Sequence, residues 1–413
     1  MSSSVPIMKS GLAEVSETKQ NRSGALVIGA DYRGLGVVRS LGRRGIPVWV
    51  LKQDDELLLA STSRYTSRSL DWPPGEDAKR VEYLLDLGVR YGLEDWVLFP
   101  TGDESAALIA RHHKSLAKLF RLTTPPWKVL RWGYDKRLTH RLAHDLAIDQ
   151  PWTFHPRSRE DVAALDCRFP VLLKPAIKER LNRLTAAKAW RVEDRRSLLA
   201  RYDEACALVT PDVLMVQELI PGGGETQFSY AALCDHGRPV ASVVARRLRQ
   251  YPMEFGRAST YVETVSEPGI IEPSTRLLNA MDFTGLVEVE FKRDPRNGLY
   301  KLLDVNPRVW GWLTLCGRAG VDFPYLLWKL IWGEPFPEVR GHTGVRWMRM
   351  STDFPTAVRE VWKGRLSVRA YARSLRGPLE SAIFASDDPL PGLLELPLIA
   401  YLAGKRAFRG SWC

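Results

Sequence analysis

The chain has 413 residues, of which 45% are hydrophobic and 26% are charged, and its formal net charge is +11. This composition is that of a globular protein with length for two to four domains, and it excludes a chain that is disordered throughout. The positive charge favours anionic partners (small ligands, nucleic acids or acidic membrane surfaces) without choosing among them.

The cysteines and the N-terminal residues indicate the cellular compartment of the protein. The first 23 residues are polar and predict a flexible tail rather than a signal peptide, and no apolar run reaches the roughly 18–20 residues that span a bilayer. The cysteines are odd in number and form no CxxC pair, which argues against a disulfide framework or a zinc site. We expect a cytoplasmic protein, with membrane association at the inner face as an option. The five cysteines are Cys167, Cys206, Cys234, Cys316 and Cys413.

Residues 24–125 predict a doubly wound α/β domain. Gly24–Leu51 follows a strand–turn–helix–strand pattern, with a glycine turn at Asp31–Gly36 and a helix over Val37–Gly42. The glycine spacing is GxxxxGxG rather than GxGxxG, and Lys52 stands where NAD-binding proteins usually carry an acidic residue. Tight turns and a dinucleotide site are both compatible with this pattern, and the first is favoured.

A second unit completes this domain. It consists of a helix over Ala78–Tyr91, a strand over Trp96–Pro100 and a helix that opens at Asp103 or Glu104. The acidic residue is either a helix N-cap or a group that faces a substrate amine at a strand C-terminus. The Thr-Thr-Pro-Pro run at 123–126 marks the domain boundary.

Two lysines begin the central part of the chain. Asp135 and Lys136 start an amphipathic helix, and the apolar strand Arg168–Pro175 ends in Lys174. A lysine at the end of a buried strand either directs its ammonium group at an anion or extends to solvent. Both alternatives remain open for Lys174.

A glycine-rich loop and an arginine-rich strand follow. The strand Val213–Ile220 leads through Pro221 and three glycines to Glu225, an arrangement suited either to an adenine and its ribose or to a simple hairpin connection. The strand Val240–Arg249 carries three arginines at its end, which suit either an anion site or a solvated basic edge. They are Arg246, Arg247 and Arg249.

The stretch from Thr284 to Trp312 is the most informative in the chain. It predicts a β-hairpin of Leu286–Lys292 and Leu299–Asn306, joined by a loop of turn-forming residues. The alternation puts Val287, Val289 and Phe291 with Leu303 and Val305 on an apolar face. Glu288, Glu290 and Lys292 fall on the other face with Leu302, Asp304 and Asn306.

Glu290 and Asp304 are predicted to be cross-strand neighbours, roughly 5–8 Å apart. Two carboxylates at that distance repel, and a divalent cation such as Mg²⁺ would remove the repulsion. A solvated acidic face is the alternative. Asn306, Pro307 and Arg308 end the strand, and the guanidinium of Arg308 suits a phosphate or a carboxylate. The hairpin is therefore a candidate metal–phosphate site.

Taken together, these motifs resemble the ATP-grasp superfamily, in particular its carboxylate–amine ligases. The similarity covers about Gly24 to Pro335 and depends on the order of the pieces: a glycine-turn domain, Asp-Lys opening a helix, PVLLKP, QELIPGG and VEVEF…LLDVNPR. It implies a two-subdomain ATP-grasp fold of mixed α/β and α+β class after the N-terminal domain.

The resemblance also implies roles for individual residues. Lys136 and Lys174 would contact the nucleotide phosphates, and Gln217, Glu218 and Ile220 would form the strand beside adenine. Glu225 would hold the ribose. Glu290, Asp304 and Asn306 would bind Mg²⁺, or Mn²⁺ in its place. Arg308 would face the transferring phosphoryl group, with Arg247 and Arg249 near the acyl site.

Two features depart from the family pattern. Family members usually cover the triphosphate with a glycine-rich flap, whereas Ile177–Lys188 contains no glycine. Asp304 also stands where Glu is more common. The missing glycines leave two alternatives, a flap that works through basic side chains or no flap. The basic residues of this segment are Lys178, Arg180, Arg183 and Lys188.

The sequence after Pro337 is basic and partly apolar. Arg340–Arg376 holds nine Lys or Arg residues against two acids. Arg365, Arg369 and Arg373 recur every four residues and predict one basic helix face. The segment predicts either a helical cap packed on the core, an oligomer interface, or a surface that docks on an anionic bilayer.

The predicted division is a tail (1–23), an N-terminal domain (24–125), a small subdomain (126–212), a large subdomain (213–337) and a C-terminal extension (338–413). The predicted function is an ATP-dependent ligase that joins small-molecule carboxylate and amine substrates, amino-acid or peptide-like. The alternative is a nucleotide-binding protein of the same fold without ligase activity. A dinucleotide-dependent oxidoreductase ranks third, and no nucleic-acid partner is expected. The oligomeric state is left open.

Overall fold

A computed structural model describes residues 23–53, 56–177, 184, 187–251, 253 and 258–410, with side chains through Lys405. Residues 1–22 of the predicted tail and the basic flap residues Lys178, Arg180 and Arg183 therefore lie outside the described residues. The four cysteines of the described part, at 167, 206, 234 and 316, are all free thiols, as the sequence predicts.

The N-terminal domain is built on a parallel five-stranded sheet in the order β3-β2-β1-β4-β5. Its central strands are short and apolar and are buried on both faces, as expected for a parallel sheet covered by helices. The strands are β1 (Ala25–Ile28), β2 (Val48–Lys52), β3 (Thr66–Asp71), β4 (Val97–Pro100) and β5 (Arg121–Leu122). The helices are α1 (Tyr32–Gly42), α2 (Asp77–Tyr91), α3 (Asp103–Arg111), α4 (His113–Leu116) and α5 (Trp127–Tyr134), with a 3₁₀ turn at Ala60–Thr62.

The predicted glycine turn at Asp31–Gly36 is wrong. The α1 helix already begins at Tyr32, because the side chain of Asp31 accepts hydrogen bonds from the backbone N–H groups of Arg33 and Gly34 and so caps the helix. Gly34 is helical and lies so close to the carbonyl oxygen of Gly29 that a Cβ atom would stand 2.1 Å from it. That glycine serves close helix–strand packing rather than a turn.

The next unit is a four-stranded antiparallel sheet in the order β6-β9-β7-β8. Its strands are β6 (Thr153–Phe154), β7 (Val171–Pro175), β8 (Trp190–Val192) and β9 (Leu214–Glu218). Its helices are α6 (Lys136–Asp145), α7 (Arg159–Ala164) and α8 (Arg195–Cys206), followed by a 3₁₀ turn at Pro211–Val213. One face of the sheet packs on α7 and α8 through its own apolar cluster, so the unit has a separate core.

An eight-stranded sheet forms the largest layer, and it is mostly antiparallel, in the order β14-β13-β10-β11-β12-β16-β17 with β15 beside β11. The strands are β10 (Gln227–Asp235), β11 (Arg238–Tyr251), β12 (Ala258–Thr264), β13 (Gly285–Arg293), β14 (Tyr300–Asn306), β15 (Val339–Arg340), β16 (Arg346–Met348) and β17 (Leu379–Ser381). The helices are α9 (Ile271–Ala280), α10 (Leu313–Arg318) and α11 (Phe323–Ile331), with 3₁₀ turns at Gly224–Thr226 and Pro268–Ile270.

The predicted hairpin is present as β13 and β14, and Glu290 pairs directly with Asp304. The prediction for Leu303 is wrong, because the register shifts between Glu290 and Phe291 and pairs Phe291 with Leu302. Leu302 is therefore fully buried in the core, while Leu303 is the extra residue of a bulge. The bulge leaves Leu303 lining a cavity on the polar face beside Asp304.

The C-terminal segment is part of the main sheet and also docks on the N-terminal domain. Strands β15, β16 and β17, which the sequence did not predict, join the large sheet, and the helices are α12 (Met350–Trp362), α13 (Val368–Ser374) and α14 (Leu390–Gly410). The buried guanidinium of Arg39 on α1 lies 2.9 Å from the Asp388 carboxylate. Asp388 also accepts hydrogen bonds from Ser63 and from the backbone of Arg64.

The predicted basic helix face through Arg365, Arg369 and Arg373 is wrong in one residue. Helix α13 begins at Val368, and Arg365 lies in the preceding turn, where its guanidinium makes two hydrogen bonds to Glu360. No helix among the described residues is long and apolar enough to cross a membrane.

Candidate functional site

The hairpin brings four polar side chains together on one face. Glu290 pairs with Asp304 and Glu288 pairs with Asn306 across β13 and β14. All four residues are at most 6% exposed, so the solvated acidic face that remained open from the sequence is not what the structure shows. The predicted metal ligands Glu290, Asp304 and Asn306 are adjacent.

Hydrogen bonds hold these carboxylates in place. The Asn306 Nδ2 atom donates to Glu290 Oε1 at 3.0 Å and to Glu288 Oε2 at 3.2 Å. The Trp312 indole donates to Glu288 at 2.8 Å, and the Gln227 amide donates to Glu290 at 2.8 Å. Glu288 was not among the predicted site residues, although its alternation with Glu290 along the same strand could have indicated it. Nothing in the sequence indicates that Gln227 belongs to the site.

The electrostatics of the cluster favour a cation. Burial, and then the neighbouring charge of Glu290, raise the pKa of Glu288 above its ordinary value, while Arg247 and Arg308 oppose that shift. A divalent ion would relieve this like-charge repulsion.

Two lysines approach the carboxylates from the other subdomain. Lys136 is the first residue of α6, where Asp135 caps the helix, and its Nζ atom lies 2.5 Å from Asp304 Oδ1. Lys174 ends the buried strand β7, and burial, reinforced by repulsion from Lys136, lowers its pKa to about 7. Both predicted phosphate ligands thus face the carboxylate cluster, and of the two alternatives for Lys174 the structure supports the inward one.

His140 belongs to the same group of residues, and the sequence analysis missed it. It lies one turn along α6 from Lys136 and is buried, and neither ring nitrogen has a hydrogen-bond partner among the described residues. Burial, followed by repulsion from Lys174 and Lys136, lowers its pKa to about 3. The imidazole is therefore neutral at physiological pH and adds no positive charge beside the lysines.

A cavity between the two sheets opens next to the lysines, and its walls include most of the residues predicted to hold the nucleotide. The members among the predicted residues are Lys136, Lys174, Gln217, Glu218, Ile220, Glu290 and Asp304, and others are Leu172, Lys188, Gln227, Lys292 and Leu303. Among the described residues of the predicted flap segment, Lys188 reaches the cavity wall. The lining of the cavity combines apolar side chains with four lysines, which suits an adenine and its phosphates.

Two of the predicted nucleotide residues direct their side chains elsewhere. The carboxylate of Glu218 is held by Lys301 at 2.5 Å and by Arg296 at 2.8 Å, so its backbone is what it can offer an adenine. Glu225 accepts a hydrogen bond from the Gly223 backbone and lines a larger cleft that joins the cavity at Glu218 and Ile220. The ribose role of Glu225 stays a prediction.

Arg308 connects the hairpin to the N-terminal domain. Its guanidinium donates to both carboxylate oxygens of Asp103, at 2.6 and 3.2 Å, and to the Asn306 amide oxygen at 3.2 Å. Asp103 is the first residue of α3, and Gly102 occupies the N-cap position. Asp103 is thus not the helix cap; it orients Arg308 at the edge of the carboxylate cluster, and its role toward a substrate amine stays a prediction.

A second cleft of about 710 Å³ lies between the N-terminal domain and the hairpin. It is lined on one side by residues at the carboxyl ends of β1, β2 and β4 and on the other by the carboxylate cluster. Prominent members are Asp31, Tyr32, Arg33, Glu56, Asp103, Arg247, Arg308 and Arg349. Glu290 and Asp304 line both this cleft and the cavity beside the lysines.

The two predicted arginines of the acyl site have different surroundings. Arg247 lies 3.4 Å from the Glu290 carboxylate and lines the second cleft. Arg249 instead makes two hydrogen bonds to the fully buried Asp353 of α12, and its guanidinium stacks on Tyr261. The structure brings Arg247 to the cluster and directs Arg249 toward the C-terminal helices, because the register shifts between them.

The residues present fit a magnesium ion that is shared with a phosphate group. Within the described part of the chain, no three His, Cys, Asp or Glu side chains are arranged to hold a metal by themselves. Mg²⁺ is usually bound by one or two carboxylates together with substrate phosphates, and Glu290, Asp304 and Asn306 supply such hard oxygen donors beside two lysines.

Comparison with known proteins agrees with this geometry. Residues 210–351 match the family model described as an ATP-grasp in the biosynthetic pathway with Ter operon. A D-aspartate ligase from Enterococcus faecium is 24% identical over 302 residues, which are 68% of this chain and 70% of that protein. The C-terminal section of a carbamoyl phosphate synthase large chain from Methanopyrus kandleri is 22% identical over 220 residues, 51% of this chain but 39% of that protein.

Solved structures share the architecture at low sequence identity. An L-amino acid ligase from Bacillus licheniformis superposes with a TM-score of 0.58 at 14% identity, covering 75% of this chain and 74% of that one. The biotin carboxylase domain of a 2-oxoglutarate carboxylase from Hydrogenobacter thermophilus, in complex with MgADP, ADP and bicarbonate, gives 0.61 at 15% identity, covering 78% and 73%. The chain has the ATP-grasp fold, so the predicted fold class is confirmed, and residues 210–351 bear out the predicted resemblance to the ATP-grasp superfamily.

Proposed function

We propose that this ATP-grasp protein is an ATP- and Mg²⁺-dependent ligase that activates a carboxylate as an acyl phosphate and joins it to an amine. One observation carries the proposal: Glu290 and Asp304 line both the cavity beside the lysines and the cleft beneath the N-terminal domain. A phosphoryl group held at these carboxylates would face a nucleotide on one side and an acceptor on the other.

In this proposal the chain's own residues bind the nucleotide in three places. Gln217, Glu218 and Ile220 contact the adenine, the last two partly through their backbone, and Glu225 contacts the ribose. Lys136 and Lys174 contact the phosphates, whose negative charge restores the ammonium form of Lys174. Glu290, Asp304 and Asn306 would hold Mg²⁺, or Mn²⁺ in its place, and the ion would neutralise phosphate charge when bound.

The proposed reaction needs positioning and charge neutralisation more than a covalent group on the protein. A carboxylate oxygen of the acceptor attacks the γ-phosphorus, the bond to the bridging oxygen breaks, and ADP leaves. The amine then attacks the acyl carbon, loses a proton and expels phosphate. Arg308, fixed by Asp103, and Arg247, beside Glu290, stabilise negative charge that develops on the transferred group.

The proposed substrates are amino acids or peptide-like molecules. The cleft is lined by both acidic and basic side chains, among them Asp31, Glu56, Arg308 and Arg349, which suits a substrate that carries both an ammonium and a carboxylate group. The similarity to a D-aspartate ligase and to an L-amino acid ligase supports the same class.

The proposed division of labour follows the predicted segments. Residues 24–125 supply one wall of the acceptor cleft, and residues 126–212 supply the lysines that contact the phosphates. Residues 213–337 supply the strand beside adenine and the metal ligands. The sequence-based alternative, a nucleotide binder without ligation, depended on the glycine-free 177–188 segment, most of which lies outside the described residues.

Thermal unfolding with nucleotide tests the binding part of the proposal, and ADP release tests the chemistry. We expect ATP with Mg²⁺ to raise the melting temperature of the wild type and of Glu272→Gln, an exposed control on α9, but not of Asp304→Asn. ADP release that requires both a carboxylate and an amine supports a ligase. Stabilisation by NAD(P) and not by ATP would reject the site.

A further inference from the structure

Helix α12 buries two acidic side chains and exposes four large apolar ones. Its inward face carries Asp353, which pairs with Arg249, and Glu360, which pairs with Arg365. Its outward face carries an apolar side chain at every fourth position, and the last of these, Trp362, is 87% exposed. Amphipathic helices on a water-exposed surface have the opposite arrangement. The outward residues are Met350, Phe354, Val358 and Trp362.

Helix α14 repeats this inverted pattern. Its Glu395 is buried and accepts hydrogen bonds from Arg349 and Ser351, while three leucines and a tyrosine on the same helix are exposed. The contacts of Glu395 place α14 beside the first turn of α12. The exposed residues of α14 are Leu390, Leu393, Leu396 and Tyr401.

Basic side chains follow directly on the apolar stripe of α12. From Arg359 to Arg376 the chain has six Lys or Arg residues and one acid, Glu360, which is already paired with Arg365. Lys363, Arg369 and Arg373 are exposed. The combination of exposed leucines, a projecting tryptophan and adjacent cationic side chains is the composition of a segment that lies in the interface of a bilayer.

We propose that the outward faces of α12 and α14, with the basic residues 359–376, dock on the surface of an anionic lipid bilayer. Apolar side chains would enter the headgroup region, and the cationic groups would pair with lipid phosphates. The charge argues against a second copy of the chain as occupant, because self-association would bring two strongly basic segments together. The proposal does not depend on the ligase reaction.

Vesicle sedimentation with the full-length protein tests this surface. We expect the wild type to pellet with vesicles of phosphatidylcholine mixed with phosphatidylglycerol at least about tenfold more than with pure phosphatidylcholine vesicles, and less at high salt. Val358→Ser combined with Trp362→Ser should abolish pelleting, whereas Val89→Ser, at a residue on α2 that is 77% exposed, should leave it unchanged.

A pair of charge reversals distinguishes binding through this surface from binding through the overall positive charge of the protein. Lys363→Glu with Arg369→Glu should reduce pelleting at least about tenfold, and Lys114→Glu with Lys118→Glu, exposed residues that follow α3, should not. Unchanged melting temperatures show that each variant is folded. Equal pelleting of the wild type with both vesicle types, or of all the variants, would overturn the proposal. So would a dimer in sedimentation velocity that the Val358→Ser/Trp362→Ser variant dissociates.

Discussion

At the residue scale, one amide side chain connects the charged groups of the site. Asn306 donates to Glu288 and Glu290 through its nitrogen and accepts from Arg308 through its oxygen. It therefore keeps Glu288 and Glu290 close together without adding a further negative charge to the cluster. An amide is suited to this position because it can serve both as donor and as acceptor.

Replacing this amide by a carboxylate gives a direct test of the cluster. Asn306→Asp removes both donated hydrogen bonds and adds a like charge, so we expect a loss of about 1–3 kcal/mol in the free energy of unfolding when EDTA is present. Mg²⁺ should recover part of the loss. Urea unfolding measures both values, and Asn297→Asp in the exposed hairpin turn is the control. An Asn306→Asp protein as stable in EDTA as the control would contradict the arrangement.

Glu56, in the wall of the second cleft, makes the stability of the folded protein depend on pH. Burial raises its pKa to about 7 from 4.5, although the backbone N–H groups of Gln53 and Ala30 and the charge of Arg33 oppose the shift; Asp31 reinforces it. The folded protein thus binds this proton more tightly than the unfolded chain, and the resulting stability is full below pH 4.5 and is lost as the pH rises through 7.

Glu56→Gln should remove this dependence, because glutamine stays neutral and keeps an oxygen that accepts from Gln53. We expect the melting temperature of the variant to exceed that of the wild type at pH 8 and to match it near pH 4.5. Thermal scans between these values measure the difference, with Glu94→Gln, an exposed residue of the same domain, for comparison. A difference that does not change with pH would show that Glu56 does not titrate in this range.

At the element scale, regular alternation could be predicted and its interruptions could not. The hairpin strands follow from period-2 patterning almost to the residue, and Glu290 opposite Asp304 follows with them. Leu303 was misplaced because the bulge depends on packing between strands, which the sequence does not show. The start of helix α1 was missed because glycines at these positions usually indicate a turn. The sequence does not show that the Asp31 side chain caps the backbone N–H groups of Arg33 and Gly34.

The misplacement of Arg249 at the end of β11 has the same cause, an interruption of regular strand pairing. A regular strand would direct Arg247 and Arg249 to the same face, but the register shift between them gives each a different partner. We therefore expect Arg249→Met to destabilise the protein by about 3–5 kcal/mol, since it leaves the buried Asp353 without its ion pair. Arg247→Met should instead lower the rate of ADP release.

Urea unfolding and ADP release separate these two roles. The double variant Arg249→Met/Asp353→Leu should be more stable than Arg249→Met alone, because it removes the unpaired buried charge. An Arg249→Met protein of wild-type stability that releases no ADP would instead support the catalytic role that the sequence predicted for this arginine.

At the scale of the whole molecule, the C-terminal segment ties the large sheet to the N-terminal domain. Its strands extend the large sheet, and its Asp388 meets Arg39, 349 residues away in sequence. The sequence could predict the basic charge and helices of this segment but not these contacts, because pairings between distant parts of a chain leave no local pattern.

A chain truncated after Pro337 should therefore show no cooperative thermal unfolding. The deletion removes β15 from beside β11 and β16 from beside β12, and it leaves the buried Arg39 without a counter-charge. A matched pair of substitutions tests the same contact: Arg39→Met should cost about 3–5 kcal/mol, and Arg43→Met, whose pair with Asp387 is exposed, about 0–1 kcal/mol. A truncated protein that unfolds like the full chain would contradict this account.

Trapping of an acyl phosphate by hydroxylamine tests the proposed ligase activity most directly. With ATP, Mg²⁺, hydroxylamine and a panel of amino acids and dipeptides, we predict that one class of carboxylate yields a hydroxamate and ADP in equal amounts. Asp304→Asn should yield neither, and Glu272→Gln should match the wild type. ADP that forms at the same rate without any carboxylate, or a wild type that binds ATP with Mg²⁺ but yields no hydroxamate across the panel, would contradict the proposed function.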